Sequence, residues 1–326
     1  MKNVLIIGSG QLGSRHMQAL LNSKYDLKID VIDRSLESLE LAKQRAEEIK
    51  KRKAKIELRF FESIDESDLQ VLDLVIIATT AGVRYSVTKE LLEKRKVSHL
   101  ILEKVAFQKV SHFDKIINLC RAKNTKTWVN CPRREFDAFK EMKAFLADQE
   151  KLIMTVQGGN WGLGCNTIHL MDLLAFFTNS LPESYSIENL DPILYEANRA
   201  DVKEFGGLLT FRYTNGSRLT VIDEKDSIAP TFTSIHGKTK RLIISEFNKT
   251  VILSTAEKDW ELEQKEIYLP YQSELTTLVA DKIFETGECN LTTLEESKIL
   301  HQVLFSALNT HLERQLNSQF ESCPIT

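Results

Sequence analysis

The 326-residue sequence has no long apolar run, no excess of one charge and no ordered set of cysteines. Nothing in it approaches the roughly 18 uninterrupted apolar residues that a membrane-spanning helix needs. The apolar core of the N-terminus, Val4 to Ile7, is far too short for a signal peptide and runs straight into glycines. With 43 basic residues against 46 acidic ones, the chain offers no general attraction for nucleic acid or an anionic membrane. The one basic run, "KKRKAK" at 50–55, closes a helix-like segment and reads as a solvated helix end that complements the helix dipole. Five cysteines (Cys120, Cys131, Cys165, Cys289 and Cys323) lie scattered without a CxxC pair. That fits reduced thiols in a cytoplasmic protein better than a disulfide framework or a zinc site. Repeats, low-complexity segments and a Pro/Ser-rich linker are also missing. What remains is ordinary globular composition, 42% hydrophobic and 27% charged, at a length that suggests two domains.

The first half alternates strand and helix. "KNVLII" at 2–7, "KIDVID" ending at Asp33, "KIELRF" at 55–60, "LDLVIIAT" at 72–79, "VSHLILE" at 97–103 and "TKTWVN" at 125–130 read as strands. Helical patterns lie between most of them, including one capped by Ser35 and another running from Arg84. Such alternation implies parallel strands joined by crossover helices, hence a doubly wound α/β sheet.

Between the first strand and first helix sits "GSGQLG" at 8–13. Alone the GxGxxG pattern is weak. Here a strand precedes it, a helix follows it and an acidic residue ends the next strand, which is the setting of a Rossmann dinucleotide-binding turn. Gly8 permits the tight turn, Gly10 lets backbone approach a pyrophosphate, and Gly13 lets helix and strand pack closely. The helix N-terminus offers free N–H groups to the phosphates. Asp33 stands where a carboxylate accepts hydrogen bonds from the adenosine ribose and repels a 2′-phosphate, which favours NAD. Arg34 beside it leaves NADP open, since it can stack on adenine or pair with that phosphate.

After "NCPRR" at 130–134 the pattern changes, which places a dinucleotide domain at 1–130 and an α+β domain at 131–326. Two strands flank Asn215-Gly216, the strongest short hairpin signal, and further short strands turn at His236-Gly237 and Asn248-Lys249. This sheet is expected to be mostly antiparallel. The tail from Glu274 to Gln319 returns to helix. Within "WGLGCNTIHLMDLLAFF" at 161–177, His169 and Asp172 share one helix face beside the apolar stripe Leu170, Leu173, Leu174 and Phe177. No second histidine or cysteine lies at ligand spacing, so no metal site is expected there.

The layout resembles the glucose–fructose oxidoreductase/inositol dehydrogenase/MocA (Gfo/Idh/MocA) family of nicotinamide-dependent oxidoreductases. The carriers are "GSGQLGSRH" at 8–16, "LEKV" at 102–105, "GCNTIHLMDLL" at 164–174 and "GECNLTTLEESKILHQVL" at 287–304. The resemblance implies that Glu103 and Lys104 match the family's Glu-Lys-Pro motif, that Lys104 and His169 are catalytic, and that Asp172 matches its aspartate three positions on. Two departures stand out. Val105 replaces the proline, whose ring would fix the turn, and Cys165 stands where many members carry an aspartate four residues before the histidine.

On this reading the cofactor contacts are Gly8, Gly10, Gln11, Leu12, Gly13, Asp33, Arg34, Thr79 and Glu103. The substrate contacts are Lys104, Arg133, Trp161, Asn166 and Asp172. Removing hydride from a secondary alcohol also releases the hydroxyl proton, which an imidazole takes at neutral pH, while an ammonium steadies the charge growing on the oxygen. The expected substrate is therefore a small molecule, a sugar or sugar nucleotide, and the wording of two motifs resembles a family branch tied to bacterial surface-glycan synthesis. The resemblance also implies a homodimer or homotetramer associated through the second sheet. A catalytically silent nucleotide-binding sensor on the same scaffold is the alternative, and reduction of a non-sugar ligand such as an imine or tetrapyrrole a third, because fold does not choose among them.

Overall fold

The computed structural model describes residues 1–197 and 202–326. They form two compact units, the first made of Met1–Glu135 with Pro270–Glu295 and the second of Phe136–Leu269 with Glu296–Thr326.

In the first unit, strands β1 (Lys2–Ile7), β2 (Leu27–Ile32), β3 (Ile56–Phe61), β4 (Val71–Ile77), β5 (Lys96–Leu102) and β6 (Lys126–Val129) pair in parallel. The short β17 (Thr292–Thr293) adds an antiparallel edge, giving the order β17-β6-β5-β4-β1-β2-β3. The central strands are continuous apolar runs because helices cover both faces; Val4, Ile6, Leu74, Val75, Ile76 and Ile77 are fully buried. Crossovers are α1 (Gln11–Leu20), α2 (Leu36–Glu47), α3 (Ala81–Lys94) and α4 (Val110–Lys123). Ser35 caps α2 by accepting from Ser38 N at 3.2 Å. The helix α3 begins at Ala81, a turn earlier than its sequence pattern suggests. The order reverses between β1 and β4, and ligands of such sheets lie beyond the carboxyl ends of the strands at that switch point.

A stretch that the sequence pattern groups with the tail helices belongs to this unit. Helix α7 (Gln272–Thr286) packs on α1, where Thr277 Oγ1 donates to Ala19 O at 2.6 Å and Ser23 Oγ to Asp281 Oδ1 at 2.5 Å. Gly287, at φ +72°, ends α7.

The second unit holds β7 (Ile153–Gly159), β8 (Pro182–Leu190), β11 (Gly207–Tyr213), β12 (Arg218–Glu224), β13 (Phe232–His236), β14 (Lys240–Ser245), β15 (Thr250–Thr255) and β16 (Glu263–Glu266). They follow the order β16-β15-β14-β13-β7-β12-β11-β8, antiparallel except where β7 runs parallel to β12. The Asn215-Gly216 hairpin joins β11 to β12, with Gly216 at φ +85°. A separate pair, β9 (Tyr195–Glu196) and β10 (Lys203–Glu204), is antiparallel. Helices α5 (Asp137–Phe145), α6 (Leu163–Thr178) and the body of α8 (Leu294–Leu316) complete the unit. Tyr213, fully buried, donates its hydroxyl to Met171 O at 2.8 Å and so ties β11 to the middle of α6. Among the described residues no helix is long and apolar enough to cross a membrane.

Candidate dinucleotide site and candidate catalytic residues

The three glycines after β1 are glycine for different reasons. A Cβ on Gly8, at φ +90°, would stand 2.7 Å from Thr79 N and 2.8 Å from Ala78 C. One on Gly13 would stand 1.7 Å from Gly8 O, so helix and strand approach too closely for any side chain. Gly10 is different. Its φ is −60°, open to any residue, and a Cβ there would meet nothing within 4 Å. Neither the chain's conformation nor its packing asks for glycine at 10, and its backbone is open to a group approaching from outside.

The surroundings fit a pyrophosphate. Gly10 is the N-cap of α1, without a side-chain cap or an acid in the first turn, so no carboxylate of the helix itself closes that end, and Asp33 binds Ser9, one residue before it. Thr79 Oγ1, beside Gly8 at the end of β4, is buried and has no hydrogen-bond partner among the described residues. Leu12 is exposed on the same first turn. Asp33 ends β2 half-buried. Its Oδ2 accepts from Ser9 N at 2.7 Å and Ser9 Oγ at 3.3 Å, and its Oδ1 from Ser35 N at 2.9 Å. The carboxylate therefore holds the glycine turn against β2. Arg34 is exposed. Sequence reasoning passed over Arg45 of α2, which is nearly buried, donates to Gln11 O at 2.9 Å, to Gln11 Oε1 at 2.5 Å and to Ser14 Oγ, and so fixes Gln11 at the mouth of the helix.

At the end of β5, Glu103 is buried in a network that sequence reasoning also missed. Its Oε1 lies 2.8 Å from His16 Nε2 and accepts from Asn130 Nδ2 at 2.6 Å. His16 Nδ1 lies 2.8 Å from Thr276 Oγ1, and Asn130 Nδ2 also donates to Gln272 Oε1 at 3.0 Å. Burial alone pushes the Glu103 carboxyl up; His16, Asn130 and the Arg84 guanidinium outweigh it and hold the group below the ordinary carboxylate range. The network joins α1, β5, β6 and α7 into one polar core. Lys104, half-buried, follows it directly. Arg84, only 2% exposed on α3, donates to the carbonyls of Glu103 at 2.7 Å, of Ala106 at 3.4 Å, and of Val105 and Thr79. A helical stripe of Ala81, Arg84, Thr88, Leu91 and Leu92 marks the buried face of α3, so an arginine on a core stripe was the available signal. Arg133 sits half-buried in the turn Pro132–Glu135 of this same unit.

In the second unit the expected residues gather on α6. His169 is half-buried and Asp172 fully buried. Asn166 Nδ2 donates to Trp161 O at 2.8 Å, and Trp161 Nε1 to Ile222 O at 2.8 Å. Two carboxylates that the sequence reading did not single out close the N-terminus of α6. Asp223, fully buried, accepts from the amides of Trp161, Gly162 and Leu163 at 3.2, 3.1 and 3.1 Å and pairs with Lys225 at 2.9 Å. Glu204 accepts from Gly164 N at 2.8 Å and Cys165 N at 3.2 Å. Cys165, in place of the family's aspartate, thus has its amide held by a carboxylate from elsewhere in the unit.

Residues 2–131 match the family described as "Oxidoreductase family, NAD-binding Rossmann fold", Gfo/Idh/MocA. No curated protein matches the sequence. Among solved structures, the chain is similar in fold to the UDP-N-acetylglucosamine 3-dehydrogenase GnnA from Acidithiobacillus ferrooxidans, at 15% identity and a TM-score of 0.74, over 97% of this chain and 99% of that one. An oxidoreductase from Agrobacterium radiobacter in complex with NAD+, L-tartaric acid and magnesium has 15% identity and a TM-score of 0.73, over 97% and 96%. A super-repressor mutant of Gal80p from Saccharomyces cerevisiae has 15% identity and a TM-score of 0.72, over 96% of both chains. The match to the Gfo/Idh/MocA model covers the first domain alone, and that domain is an NAD-binding Rossmann fold.

Proposed function

We propose that the protein is an NAD-dependent dehydrogenase or reductase that interconverts a hydroxyl and a keto group on a sugar or sugar nucleotide. The observation that carries this is the presence, in one unit, of an α1 N-terminus open at Gly10 and of Lys104, which directly follows the buried network of Glu103 at the end of β5. NAD, when bound, supplies the hydride acceptor or donor. Lys104 places an ammonium beside the substrate oxygen and stabilises the negative charge that grows there. His169 takes the hydroxyl proton in oxidation and returns it in reduction. Gly10, Gln11 and the first-turn amides of α1 bind the pyrophosphate, and Asp33 the adenosine ribose. Arg133, Trp161, Asn166 and Asp172 belong to substrate recognition in this reading, and the sugar-nucleotide class gains support from the likeness to GnnA.

The same reading carries a homo-oligomer formed through the second sheet, whose outward face presents Ile153 and Phe232, 51% and 40% exposed. A second reading, a nucleotide-binding regulator without turnover, is favoured by Val105 and Cys165 in the positions where the family carries proline and aspartate, and by the likeness to Gal80p. The test separates them. Keto-sugars and sugar nucleotides are screened for oxidation or reduction of the cofactor; Lys104→Ala and His169→Ala are expected to abolish turnover and to bind NADH as the parent does. NADH binding with no turnover of any such substrate by the parent protein would favour the regulator.

A further inference from the structure

Val105 stands where a proline ring would fix the turn that carries Lys104, yet the turn is held from another direction. Arg84 reaches from α3 and donates to the carbonyls on either side of Lys104, those of Glu103 at 2.7 Å and of Val105, and beyond them to Ala106 at 3.4 Å. The same guanidinium donates to the carbonyl of Thr79, at the end of the neighbouring strand β4. These are backbone acceptors near one another, and a planar guanidinium with several fixed donors suits them where a single-point lysine ammonium does not. The group is 2% exposed and Val105 fully buried, so water does not compete for these carbonyls.

The geometry points to Arg84 as the positioning residue of Lys104, a clamp across the ends of β4 and β5 that does the work a proline ring does at this turn. Proline restricts one φ angle of the chain; the clamp instead fixes the carbonyls of Glu103, Val105 and Ala106 against the end of β4. It rests on the reading of Lys104 as a catalytic residue, and it makes Val105 and Arg84 a linked pair.

The experiment follows the reactivity of Lys104 itself and needs no identified substrate. The full chain is treated with trinitrobenzenesulfonate, and modification of Lys104 is timed by peptide mass spectrometry, with NADH affinity and melting temperature measured beside it. Arg84→Lys is expected to raise the modification rate of Lys104 about threefold or more, because the lysine gains freedom and solvent, with NADH affinity kept within about twofold. Adding Val105→Pro to Arg84→Lys is expected to return the rate toward that of the parent. An unchanged rate in Arg84→Lys overturns the inference, and so does loss of NADH binding in that variant, since Arg84 would then serve the cofactor turn. Should Arg84→Lys fail to fold, the double variant must fold, and failure of both overturns it as well. Failure of the clamp is distinct from failure of the proposed function. If Lys104→Ala turns over as the parent does, the function falls; if Lys104→Ala is dead while Arg84→Lys leaves the modification rate unmoved, only the clamp falls.

Discussion

Two helices in this chain begin beside the residues expected to do its chemistry, and their N-termini are treated in opposite ways. Every helix start carries unpaired N–H groups and the positive end of a dipole. At α6 the chain supplies its own counter-charge. Asp223 and Glu204 accept from five successive amides, Trp161 to Cys165, and nothing there invites an external anion. At α1 there is no capping side chain and no acid in the first turn, and Gly10 leaves open space over the backbone. In the proposed function the pyrophosphate meets the helix end that the chain leaves open. The closed end instead ties the start of α6, the helix that carries His169, to Asp223 and Glu204.

The largest effect that would sharpen this contrast is at Asp223. Asp223→Ala removes the acceptor of three amides and leaves Lys225 without its partner in a buried place. A loss of about 3–5 kcal/mol in urea unfolding is expected. A change below about 1 kcal/mol would mean that α6 does not need its carboxylate.

Next comes the difference between glycines. Gly13→Ala drives a Cβ into Gly8 O and should cost about 1–3 kcal/mol or more, whereas a Cβ at Gly10 meets no atom within 4 Å, and Gly10→Val should leave unfolding within about 0.5 kcal/mol of the parent. Equal destabilisation by both would show that Gly10, too, is required by the chain.

A smaller effect concerns pH. Glu103 is held below the ordinary carboxylate range, so its ionised form adds stability at pH above that range, and this is lost as pH falls through it. The melting temperature of the parent should therefore drop between about pH 6 and about pH 3 more steeply than that of Glu103→Gln. At neutral pH the variant should be weaker by about 1 kcal/mol. Parallel pH curves would break the argument that the network of His16 and Asn130 favours the charged carboxylate.

What the sequence revealed follows the range of the interactions. The doubly wound sheet and the GSGQLG turn are written in local spacing, a strand, three glycines, a helix and an acid, and they stand in the structure as read. The Asn215-Gly216 hairpin is equally local. Three features depend on partners far along the chain and left little trace. Helix α7 joins the first unit by packing on α1, which no helical periodicity announces. Strand β7 runs parallel to β12 in the middle of an otherwise antiparallel sheet, although its own residues carry no mark of direction. Asp223 looks like a strand residue and Glu204 like an ordinary surface carboxylate until α6 is brought against them from about 40 to 60 positions away in sequence. Arg84 lay between these cases. Its helical stripe was visible, but the carbonyls that justify a buried guanidinium belong to another strand end.

The central claim, that α1 presents an open end built for a dinucleotide, is tested most directly by calorimetric titration of the purified protein with NADH, after removal of any copurified nucleotide, beside Gly10→Val. The account predicts micromolar binding by the parent, about −8 kcal/mol, and loss of at least about tenfold in affinity by Gly10→Val. Failure of the parent to bind NADH, or equal binding by Gly10→Val, would contradict it.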